Sequence, residues 1–124
     1  MSIMLDSDIV IEVLRLRDQD ILSKWQTLAH YGGAILYSPV TVAEVWAGAR
    51  PHEHDSISRF FAPLKCAPAN HPTGKLAGDY LRSFARSHSL AVGDALIAAT
   101  SVQSQALLWT RNRKHYPMPD VSFY

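Results

Sequence analysis

Gly93-Asp94-Ala95-Leu96-Ile97-Ala98-Ala99-Thr100, running on to Ala106-Leu107-Leu108-Trp109-Thr110, is the stretch from which the fold is read. Gly93-Asp94 opens a helix that carries Leu96, Ala99 and Val102, and Ala106 to Thr110 is an apolar run of strand length. A helix feeding a buried strand is half of a parallel β-α-β unit. Outward from this stretch the same alternation recurs. Upstream, Leu76, Ala77, Tyr80, Leu81, Phe84 and Ala85 form the cleanest amphipathic stripe in the chain. Downstream, Val121 to Phe123 follows the Pro117/Pro119 loop and reads as a final strand.

The N-terminal half fits the same pattern. Ile3 to Leu5 is a short apolar run, consistent with a buried first strand, and Ile9, Val10, Val13 and Leu14 then recur at helical spacing. Ile21, Leu22, Trp25, Leu28 and Ala29 predict a second helix, which Gly32-Gly33 would end with a left-handed turn. Ala34 to Tyr37 is a strand candidate, broken at Ser38-Pro39, and a helix is predicted from about Thr41 to Ala49. Pro51 to Asp55 reads as a polar loop. Ile57, Phe60, Phe61 and Leu64 mark another helical face, and Lys65 to Ala67 a short strand. The expectation is one α/β domain over residues 1–124, a central, mostly parallel sheet of four to five strands flanked by helices. In such sheets ligands sit beyond the carboxyl ends of the strands.

Composition narrows the function classes. The 124 residues are 48% hydrophobic and 19% charged, ordinary for a globular domain with a real core. A net charge of +1 excludes binding to nucleic acid by bulk charge, so any such contact must come from a local basic patch. The single cysteine, Cys66, permits no internal disulfide and no cysteine-rich zinc site. The apolar start stops at Asp6, too short for a signal peptide, and no stretch approaches the roughly 20 apolar residues of a membrane span. The sequence therefore predicts a cytoplasmic protein.

The strand ends carry the chemistry. Asp6-Ser7-Asp8 follows the first strand, Glu44 lies in the helix after the second, Asp94 opens the Ala-rich helix, and Arg111-Asn112-Arg113 follows the late strand. Carboxylates that converge repel one another unless a cation joins them, and an all-oxygen set suits Mg²⁺ or Mn²⁺. Each residue also has a purely structural account. Thr41-x-x-Glu44 is a capping-box pattern, Asp94 complements a helix dipole, Asp8 is read as a helix cap, and Asn112 suits an Asx turn. What those accounts leave unexplained is their coincidence at one edge of one sheet.

Taken together, Leu5-Asp6-Ser7-Asp8, Val42-Ala43-Glu44-Val45-Trp46-Ala47-Gly48, the Gly93–Thr100 stretch and Thr110-Arg111-Asn112-Arg113-Lys114-His115-Tyr116 resemble the PIN-domain ribonucleases, most closely the VapC toxins. The resemblance implies a Mg²⁺-dependent endoribonuclease, with Mn²⁺ able to substitute, that leaves 5′-phosphate and 3′-hydroxyl ends. It implies a catalytic set of Asp6, Glu44, Asp94 and Asn112, with Asp6 and Asp94 binding metal. Asn112 falls where many members carry a fourth acid, so a second ion would be held weakly. Ser7 and Thr110 match hydroxyl positions expected to meet a metal-bound water or a phosphate. Arg111, Arg113 and Lys114, with His115, form a basic loop around Asn112 suited to gripping RNA.

The resemblance further implies a homodimer and a VapB-like antitoxin, for which an apolar groove around Trp25 and Phe60 is the expected seat. Two other readings stay open. One is a PIN-fold module that binds RNA or protein with weak or no catalysis; the other is a PIN nuclease outside toxin–antitoxin systems. Trp46 and Trp109 read as core rather than as base-stacking platforms. His52-x-His54 lacks a third ligand and reads as part of a solvated loop.

Overall fold

The computed structural model describes residues 1–124 and is built on five strands in the order β3-β2-β1-β4-β5, every neighbouring pair parallel. The central strand is β1 (Ser2–Leu5), between β2 (Ile35–Tyr37) and β4 (Ala106–Trp109); β3 (Lys65–Cys66) and β5 (Ser122–Phe123) are two-residue edges. In register, Leu5 lies opposite both Tyr37 and Trp109, so the three long strands end level with one another.

Side chains alternate across a strand, and the two faces of the sheet use that alternation to make two cores. Ile3 and Leu5 pack with Ile9, Val10, Ile57 and Phe61 beneath α1 (Ser7–Arg15), α2 (Gln19–Thr27) and α4 (His54–Phe61). Met4 and Leu108 pack with Ala77, Tyr80 and Ala98 beneath α5 (His71–His88) and α6 (Val92–Gln103). Between them, α3 (Pro39–Ala47) sends Val45 into the first core and rests Val40 on the second. Ala95, Ile97, Ala98 and Ala99 of α6 are fully buried. Small apolar residues around most of a helix suit an element wedged between sheet and neighbours.

Several boundaries differ from the sequence expectation. Ser38-Pro39 begins a helix rather than merely ending a strand. The Ser38 hydroxyl accepts from the Val40 amide at 3.1 Å and Pro39 takes the first turn, so α3 spans Pro39–Ala47. No glycine is left-handed, so Gly32-Gly33 does not terminate α2, which tightens into a 3₁₀ turn over Leu28–His30. Gly33 serves close approach instead: a Cβ there would lie 2.5 Å from the Met1 carbonyl oxygen. The predicted loop from Pro51 to Asp55 is a 3₁₀ turn, Pro51–Glu53, that runs straight into α4. Glu53 stabilises it by accepting from the Arg50 amide at 2.8 Å.

The link between the parallel strands β4 and β5 contains no α-helix, only a 3₁₀ turn at Arg113–His115. Parallel neighbours usually need a helical crossover. Here a loop does that work, and it passes over the carboxyl end of the sheet. No helix is long and apolar enough to cross a membrane.

Candidate active site

At that carboxyl end a cleft of about 280 Å³ is lined by Asp6, Ser7, Asp8 and Glu44 from one side and by Asp94, Asn112, His115 and Tyr116 from the other. The parallel register explains the gathering. The chain leaves β1, β2 and β4 at one level, and α1, α3 and the loop after β4 all begin there.

Asp6 is the N-cap of α1, its Oδ1 accepting from the Ser7 amide at 2.7 Å. The sequence reading that made Asp8 the cap is therefore corrected. Asp6 Oδ2 accepts two more bonds, from Thr110 Oγ1 and from the Tyr116 hydroxyl, each at 2.8 Å. Asp6, Thr110 and Tyr116 are all buried.

Asp8 lies in the first turn of α1 and faces the loop after β4. Its Oδ2 accepts from the Arg111 amide at 3.0 Å, while its Oδ1 is buried with no hydrogen-bond partner. Burial, reinforced by the Asp6 charge, pushes its carboxyl up to about 6, against the pull of the Arg111 and Ile9 amides. Asp94, in the first turn of α6, is also raised, by burial first and then by Asp6; His115 opposes the shift.

Glu44 takes no part in a capping box, because Ser38 fills the N-cap of α3. Its Oε1 accepts from Ser7 Oγ at 2.7 Å, and Ser7 Oγ is 3.3 Å from Thr41 Oγ1, a fully buried hydroxyl. Gly93 lies beside this carboxylate: a Cβ there would make ordinary van der Waals contact with Glu44 Oε2, at 3.5 Å.

The remaining expected residues divide. Asn112 lines the cleft, and its amide donates to Thr110 Oγ1 at 3.1 Å. The Ser7 and Thr110 hydroxyls each donate to a carboxylate, those of Glu44 and Asp6. Arg111 turns its guanidinium to the buried Glu12, 3.0 Å away, and Arg17 reaches the same oxygen at 2.8 Å. Arg113 lies 5.1 Å from the Phe123 ring and donates to the Tyr124 carbonyl, turned toward β5 and away from the cleft lining. Lys114 is exposed and has no ion-pair partner. Trp109 is buried in the core; Trp46 packs against that core and its ring meets His54 edge-on. Sequence reasoning missed Tyr116 as a site residue; His115 entered it only as part of the basic loop.

No three His, Cys, Asp or Glu side chains are drawn together tightly enough to form a complete metal cage. The donor chemistry nevertheless fits a hard divalent cation. Apart from His115, every ligand-capable side chain in the lining offers oxygen; four carboxylates gather there with no Lys or Arg, and Asp8 Oδ1 is a buried oxygen without a partner. Such a set is stabilised by positive charge placed among it.

The chain matches the PIN domain family over residues 3–121. It is 35% identical over 117 residues to Ribonuclease VapC10 of Mycobacterium tuberculosis, covering 94% of this chain and 86% of that protein. It is 31% identical over 96 residues to Ribonuclease VapC19 of the same organism, covering 76% and 77%. In fold it resembles the DNA-bound VapBC from Salmonella typhimurium at a TM-score of 0.82 and 16% identity, covering 100% of this chain and 97% of the other. It likewise resembles VapBC2 from Rickettsia felis at 0.80 and 20%, covering 100% and 98%. A five-stranded parallel sheet with acids at its carboxyl edge, the family match along almost the whole chain and the identity to VapC ribonucleases lead to one assignment: the chain belongs to the PIN-domain family, among its VapC members.

Proposed function

We propose that this chain is a metal-dependent endoribonuclease that hydrolyses RNA phosphodiesters and acts as the toxin of a toxin–antitoxin pair. The observation that carries the reading is the convergence of Asp6, Asp8, Glu44 and Asp94, from three distant segments, on one cleft of a VapC-family fold. Asp6 and Asp94 would hold Mg²⁺ or Mn²⁺, with Glu44, Asp8 and the carbonyl of Asn112 within the same lining. Bound there, such an ion lowers the pKa of a coordinated water and offsets the charge that grows on a phosphodiester. Ser7 fixes the Glu44 carboxylate, and Thr110 and Tyr116 fix that of Asp6. Lys114, exposed and without an ion-pair partner, would offer positive charge to a passing phosphate backbone, whereas the Arg111 guanidinium is held by Glu12.

The same reading brings two partners. A VapB-like antitoxin would lay an apolar segment against α2, where Trp25 stacks on Phe60 at 5.2 Å and a pocket of about 300 Å³ opens between Trp25, Leu28, Ile35 and Leu64. A second copy of the chain would pair with the first as a homodimer, a proposal that rests on the family and is checked by sedimentation.

The deciding test incubates antitoxin-free protein with total prokaryotic RNA in Mg²⁺ or Mn²⁺, and again with EDTA. Discrete fragments are expected with metal, none with EDTA, and none from Asp6→Asn or Asp94→Asn. Loss of a transition-state charge contact of this kind typically lowers kcat by about 10²–10³-fold or more. A folded wild type that binds RNA without cutting it would favour a binding module instead.

A further inference from the structure

The hydrogen bonds to Asp6 restrict how that residue can meet a cation. An ionised carboxylate offers about four lone-pair positions, two on each oxygen. The Ser7 amide occupies one on Oδ1, while Thr110 Oγ1 and the Tyr116 hydroxyl occupy both on Oδ2. One position remains, on Oδ1. Tyr116 is well placed to enforce this. Its ring is 3% exposed and packs with Met118, Leu108 and Ala106 in the second core, so the phenol cannot swing away. It stands six residues beyond Thr110, on the far side of the 3₁₀ turn, and the two donors approach the same oxygen from the two ends of that loop.

We propose that Tyr116 is a positioning residue of the site: with Thr110 it saturates Oδ2 of Asp6, so that Asp6 ligates a divalent ion through Oδ1 alone and at a fixed angle. This rests on the reading of Asp6 as a metal ligand given above. A neutral donor suits the task. It satisfies an oxygen that would otherwise face three neighbouring carboxylates, and it adds no charge to compete with the ion. Outer partners of this kind orient metal ligands, and their loss typically weakens metal affinity by roughly 10–100-fold.

The test is Mn²⁺ binding to the RNA-free protein, followed by calorimetry and by electron paramagnetic resonance. It compares wild type, Tyr116→Phe, Thr110→Val, Thr110→Ser and Asp94→Asn, with circular dichroism as the control for folding. Tyr116→Phe keeps the buried ring and deletes only the donor. Its Mn²⁺ affinity is expected to fall by about tenfold or more, with the spectrum of the bound ion altered. In the cleavage assay kcat should fall while KM for RNA stays unchanged. Thr110→Val should behave alike and Thr110→Ser should restore binding; this pair decides the matter if Tyr116→Phe does not fold. A folded Tyr116→Phe that binds Mn²⁺ as wild type does, while Asp94→Asn does not, overturns the role of Tyr116 and leaves the nuclease reading intact. A wild type that binds no Mn²⁺ overturns both.

Discussion

Asp8 carries an electrostatic cost that can be measured directly. Its carboxyl is pushed up to about 6, chiefly by burial and then by Asp6, from an ordinary value of 3.8. Because the folded value lies above the unfolded one, folding favours the protonated form. The help this gives is fully present below about pH 4 and is lost as pH rises through 6. Asp8→Asn keeps a carbonyl for the Arg111 amide and can turn a donor toward Asp6. Its melting temperature is expected to exceed that of wild type by a few degrees near pH 8, a gain that disappears near pH 4. Scanning calorimetry at the two pH values checks this; an equal gain at both would mean that packing, not charge, is responsible. Sites that gather like charges commonly cost stability in this way.

Single helices owe their positions to equally local causes, and α3 is the case that matters most because it carries Glu44. Ser38 is fully buried and its hydroxyl caps the first turn. Ser38→Ala should cost about 1 kcal/mol, read as a lower midpoint in urea unfolding with an unchanged slope. Much of this level was legible in the sequence. The apolar periodicities of α1, α2, α5 and α6 placed those helices, and the runs at Ile3, Ile35 and Ala106 placed the long strands. Legibility failed where a polar contact outranks periodicity. Pro51 to Asp55 reads as loop because its apolar face begins only at Ile57, yet the Glu53 carboxylate on the Arg50 amide makes it a helical turn. Asp6 and Asp8 are interchangeable as caps by spacing, and the choice is made by Arg111, which binds Asp8 from 103 positions away. Tyr116 entered the sequence reading only as the end of the Thr110–Tyr116 stretch. Only the folded loop shows that its hydroxyl lies on a carboxylate 110 positions upstream. Asp6, Glu44, Asp94 and Asn112, by contrast, were named at the outset, because strand ends are where a parallel sheet gathers chemistry.

Across the whole molecule, charge is nearly balanced, at +1, and the few cations near the cleft are partly committed. Arg111 pairs with Glu12 and Arg113 turns toward β5; Lys114 has no ion-pair partner. RNA binding by this chain should therefore depend only weakly on salt. Each phosphate neutralised on a single strand contributes a slope of about −0.7 in log K against log salt. Lys114→Ala is expected to make that slope shallower by about one such step, measured by fluorescence anisotropy on Asp94→Asn protein so that the RNA is not cut. A slope unchanged in the variant would place the RNA elsewhere. The sheet that carries the cleft also has an order in time. Asp6 is made well before the groups that hold it: two of the three groups that fix its carboxylate belong to Thr110 and Tyr116, 104 and 110 positions later. A chain still under synthesis can form β1 and α1 without being able to lock this carboxylate, so the protein emerges from the ribosome with its cutting edge unassembled until the last strands dock.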